Sequence, residues 1–195
     1  MTNLYFTICS LFVSGLLVLI FFIKNNVKNR ETSLFKFMLL ASLIDGICMF
    51  AVIYIGYKYP DLNLAIEIIN KVDFTQYIVW ASLLFLYCFY VARPNSKNYS
   101  KLLKIVGILD VIAILLMAVL PLEVHNVEGV MYAYGMATNV TYVTCALYFG
   151  ALVVVIFSNR KHIINKKYIP VLSLVLFGGI VFIVNKLNPS LLIIP

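Results

Sequence analysis

Long apolar runs alternate with short polar connectors along the whole chain. Crossing a hydrocarbon layer of about 30 Å takes roughly 20 apolar residues in helical form. Runs of that size recur six times, at about Leu4–Ile23, Leu34–Tyr57, Phe74–Ala92, Leu102–Leu120, Met131–Phe157 and Tyr168–Val184. Each predicts an α-helix, because backbone amides in hydrocarbon must be paired within their own segment. The runs are too long and too uniformly apolar for barrel strands. Pro60, Pro94, Pro121 and Pro189 fall at run ends and Pro170 in the first turn of the sixth, so none interrupts a helix. The pattern therefore predicts an all-α membrane protein, a single domain over 1–195 built as a polytopic bundle of six transmembrane helices.

The connectors differ in charge. One set holds Lys24, Lys28 and Arg30, with Lys36 at the start of the second run, then Arg93, Lys97, Lys101 and Lys104, then Arg160, Lys161, Lys166 and Lys167. The other set holds Lys58, Lys71 and Lys186 together with Asp61, Glu67, Asp73, Glu123 and Glu128. Twelve cations against three across short loops is a strong positive-inside bias. It predicts an extracytoplasmic N-terminus and three cytoplasmic basic loops. The last residues, Asn188 to Pro195, then read as the opening of a seventh apolar run from the outer side, so a truncated seventh helix is expected.

Composition sharpens this reading. Hydrophobic residues make up 63% and charged residues 12% of the 195 residues, where soluble domains carry roughly 45–50% and about 25%. The net charge of +7 is gathered between apolar runs rather than along one polar face, which argues against nucleic acid as a partner. Cys9, Cys48, Cys88 and Cys145 all lie inside apolar runs with no CxxC spacing, and two histidines sit in different loops. Neither a metal site, a cofactor nor a disulfide framework is expected. Phosphate-loop and HExxH motifs are absent from the sequence, as is any convincing nucleophile–base pair, so no enzyme is predicted.

Polar residues inside the runs are the candidates for function. Asp45 lies nine residues past Lys36, about 13 Å into the membrane. An acid at that depth costs about 2.5–3.5 kcal/mol on insertion scales and should face the bundle interior. It reads either as a ligand contact, proton site or switch, or as a protonated or hydrogen-bonded residue that only fixes helix packing, with Ser42 one turn earlier as a candidate partner. Asp110 is shallower and reads most simply as an acid near the cytoplasmic lysines. Along the fifth run Tyr134, Thr138, Thr141, Cys145 and Tyr148 form a stripe, with Asn139 and Tyr142 beside it. Such a stripe packs helix on helix or lines a pocket. Gln76 and Trp80 in the third run read as interfacial anchors or as the rim of an outer pocket.

Several segments in order resemble a known family. They are Glu31-Thr32-Ser33-Leu34-Phe35-Lys36, Trp80-Ala81-Ser82-Leu83-Leu84-Phe85, Tyr134-Gly135 followed by Asn139 and Tyr142, and Lys167-Tyr168-Ile169-Pro170 with Asn185-Lys186-Leu187-Asn188-Pro189-Ser190-Leu191-Leu192. Together they resemble the multi-helix membrane sensor region of Gram-positive bacterial sensor histidine kinases. Asn185 stands where that family usually carries Gln. The resemblance implies a seventh helix starting at Asn188-Pro189, a homodimer in the bacterial plasma membrane, and detection of a small-molecule or peptide signal passed to a separate output domain. A small transporter or an accessory membrane protein is the alternative that six helices and a midplane acid also suit.

Overall fold

A computed structural model describes residues 2–23, 29–59, 62–93, 96–127, 130–159 and 180. Five helices appear in these residues: α1 (Thr2–Ile23), α2 (Arg30–Lys58), α3 (Asn63–Ala92), α4 (Tyr99–Val119) and α5 (Met136–Ser158). A hairpin of β1 (Glu123–Val127) and β2 (Val130–Tyr134) joins α4 to α5.

The helices α2 to α5 are each long and apolar enough to cross a membrane, and α1 adds a shorter apolar stretch, Thr7–Ile23. The chain is a multi-pass membrane protein. The described residues hold four such spans where six were expected; of the sixth run, 168–184, only Ile180 is described, and the start of the expected seventh helix lies outside. Large apolar side chains such as Phe12, Leu115, Leu147 and Val154 are exposed on the outer faces of α1, α4 and α5. Faces of that kind need lipid as solvent.

The third helix is the hub. It packs against α2, α5 and α4, while α1 packs on α2, where the Leu11 side chain lies against Gly46. The larger core cluster joins Leu34 and Met38 of α2 to Ala81, Leu84, Phe85 and Cys88 of α3, and these to Val106 of α4 and Tyr148 and Leu152 of α5. Phe85 stands 6.0 Å from Tyr148, ring to ring. Because lipid tails are as apolar as these side chains, packing contact rather than water release holds the cluster together.

Two of the sequence-based boundaries need correction. The third helix starts at Asn63, not Phe74, although Glu67, Lys71 and Asp73 intervene. The polarity of Glu67 and Lys71 is absorbed by the bundle: Lys71 Nζ pairs with Glu67 Oε1 at 2.9 Å and donates to Ala118 O of α4. Asn70 Nδ2 donates to Ile66 O and Thr75 Oγ1 to Lys71 O. Side chains satisfied one turn back allow a helix to run through a polar stretch.

The fifth helix starts at Met136, not Met131, because Val130–Tyr134 pairs antiparallel with β1 in the register Glu123↔Tyr134 to Val127↔Val130. The β-branched and aromatic residues of both segments suit strands. Leu122, Val124 and Ala133 pack with Met117, Ala137 and Phe74, so the hairpin covers one end of the bundle. Gly135 makes the turn from strand to helix at φ 125°, where a Cβ would stand 2.8 Å from Pro121 O. That same carbonyl accepts from Ala137 N at 3.4 Å. Gly135→Ala should destabilise this junction by about 1–3 kcal/mol, read as a lower unfolding midpoint in detergent.

The basic residues that are described gather at the other end. Arg30 lies over the Tyr99 ring, joining the starts of α2 and α4, and Arg93 Nε donates to Asn159 Oδ1, joining the ends of α3 and α5. Lys97, Lys101 and Lys104 belong to the same end. Lys24, Lys28, Arg160, Lys161, Lys166 and Lys167 lie outside the described residues.

Candidate functional site: a buried acid pair

Asp45 sits near the middle of α2, about 20 Å from Lys58 at its end. Asp73 lies about 15 Å into the neighbouring α3, measured from Asn63. Since α2 and α3 are joined by a short connector and pack side by side, the two acids come to nearly one depth. They are close enough to act on each other electrostatically, and both act on Cys48 of α2 and Tyr77 of α3. Asp73 is only 6% exposed.

The pair lacks ordinary satisfaction. Oδ1 of Asp45 and Oδ1 of Asp73 are buried without a hydrogen-bond partner. Thr138 Oγ1 on α5 is the one further buried side-chain oxygen in this condition among the described residues. Each such group costs about 1–3 kcal/mol, more when charged, and native cores keep few of them. Lys71, two residues from Asp73, does not offset the pair, being held by Glu67 and Ala118 O.

A second polar node lies towards α4. Tyr148 Oη of α5 donates to Asp110 Oδ1 at 2.6 Å, with Val106 O at 3.4 Å, and Ser82 of α3 is beside the same carboxyl. Asp110 is thus a helix–helix contact of the interior rather than a partner of the basic loops. Cys145 links the two nodes: its Sγ donates to Tyr77 O at 3.7 Å, and it lies within electrostatic reach of Asp110. Tyr148→Phe removes the shortest of these bonds and should cost about 1–2 kcal/mol, measurable by unfolding in detergent.

The other sequence candidates are dispersed. Tyr142 is half-buried beside Tyr77 and Cys145, within reach of the acid pair's neighbours. Trp80 packs against the core cluster, and Gln76 is half-buried on α3. Because α3 begins eleven residues earlier than expected, both lie more than three turns from its start. Asn139 is exposed near the start of α5, and Asn185 lies outside the described residues. Of the α5 stripe, Thr138, Thr141, Cys145 and Tyr148 are buried, whereas Tyr134 belongs to the hairpin and is half-exposed.

Asp73 is the residue that sequence reasoning missed. Its signal was the Glu67–Lys71 spacing of four, which marks a helical ion pair and would have carried α3 out to Asn63. Among the described residues no group of three or more His, Cys, Asp or Glu can hold a metal ion. No protein family, curated protein or solved structure matches the chain.

Proposed function

We propose that this chain is the signal-sensing membrane domain of a bacterial sensor histidine kinase, with its basic end in the cytoplasm and its catalytic output in a separate domain. The observation that supports this reading is the Asp45–Asp73 pair, two incompletely satisfied acids on packed helices within electrostatic reach of each other. A packed interface that buries two neighbouring acids can take two arrangements of the helices, one with the acids compensated and one with them apart. A stimulus shifts that balance only by binding the two arrangements unequally. The segment resemblance supplies the signalling context, and homodimerisation in the plasma membrane follows from it.

Spin labels at Phe37 of α2 and Phe157 of α5, both exposed, flank α3 and report its packing. The sensor reading expects two distance populations in lipid nanodiscs, collapsing to one in Asp45→Asn. A single unchanged distance in both proteins would count against it.

The run Asp45, Asp73, Tyr77, Cys145 and Asp110 also suits a small transporter, since protonatable groups cross the interior from α2 to α4. Solute uptake into proteoliposomes that Asp45→Asn abolishes would favour that second reading.

A further inference from the structure

The three buried oxygens without partners come from three different helices. Tyr142 of α5 neighbours Tyr77 of α3, and α3 and α5 run in the same direction, with α4 returning between them. One turn towards the start of α5 from Tyr142 is Thr138; one turn towards the start of α3 from Tyr77 is Asp73. Thr138, 5% exposed on the buried face of α5, is therefore level with Asp73, which in turn faces Asp45. Two carboxylates and a hydroxyl thus lie at nearly one depth on three packed helices, and no lysine or arginine side chain among the described residues pairs with them.

We propose that Asp45, Asp73 and Thr138 form an intramembrane binding site for a sodium ion. An all-oxygen set containing carboxylates selects a hard cation. Two carboxylates and one hydroxyl offer at most about five oxygens, short of the six to eight that calcium takes. A monovalent ion lowers the repulsion between the acids, and the Thr138 hydroxyl can turn a lone pair towards it. Protons compete for the same carboxylates, so sodium affinity falls as pH falls; Cys48, Tyr77 and Tyr142 are the other titratable groups around the pair. The proposal rests on reading this pair as the switch, and sodium is then the ion whose occupancy differs between the two helix packings.

The test uses the full chain in nanodiscs, with sodium chloride titrated against choline chloride at constant ionic strength. Sodium should raise the unfolding midpoint by about 5 °C at a hundred times its dissociation constant. Radioactive sodium should bind at about one ion per chain. Asp73→Asn and Asp45→Asn should lose both effects, while Asp110→Asn, an acid of the other node, should keep them. Identical midpoints in sodium and choline, with only pH moving them, would overturn the proposal and assign the pair to protons. Sodium binding that survives in Asp73→Asn would overturn it as well. The Phe37–Phe157 distance separates the two claims: sodium binding without any distance change refutes the sensor reading and leaves the site in place.

Discussion

Asp73→Asn is expected to stabilise the bundle by about 1–3 kcal/mol when measured without sodium. Asp73 is nearly fully buried, carries an oxygen with no partner and faces another acid. Removing one partner of an opposite-charge pair destabilises a core, because it leaves a charge uncompensated. Here the sign reverses, since Asp73 has a second acid as its neighbour rather than an opposite charge, and the amide brings two donors towards Asp45. The midpoint of unfolding in detergent should rise while response to the stimulus is lost. Stability gained at the expense of function is the mark of a site kept strained for use.

The opposite sign is expected one helical stretch away. Leu84 of α3 is 1% exposed in the core cluster where α2, α4 and α5 meet. Leu84→Ala should cost about 2–3 kcal/mol, the lower part of the range for Leu→Ala in cores. The lower part applies because the unfolded chain in a membrane keeps its side chains in lipid, so the transfer contribution is small and the cavity remains. A midpoint unchanged by this substitution would mean that α3 is not the hub. Together the two substitutions separate residues that hold the bundle from residues that set its balance.

The apolar runs were legible because membrane thickness imposes a length that composition cannot disguise. Asp45 was legible for the same reason, as a lone acid in the middle of such a run. Asp73 was not: Glu67, Lys71 and Asp73 in one short stretch look like a loop until the Glu67–Lys71 pair and the bonds of Asn70 and Thr75 to their own helix are seen. The hairpin was hidden differently. Val130–Tyr134 is as apolar as the helix that follows, and only Gly135, whose φ of 125° other residues rarely adopt, marks the change. Tyr148 was placed on the right stripe of α5, yet its bond to Asp110 depends on how α4 and α5 pack, which helical spacing in one segment does not contain.

A double-mutant cycle on Asp45→Asn and Asp73→Asn, measured by unfolding in sodium-free detergent, asks whether the two acids act on each other across the interface. If they do, each single substitution relieves the same repulsion, the double variant gains little over either, and the coupling amounts to about 1–3 kcal/mol. Effects that add within about 0.5 kcal/mol would mean that the acids are independent, and the switch built from them would have to be abandoned.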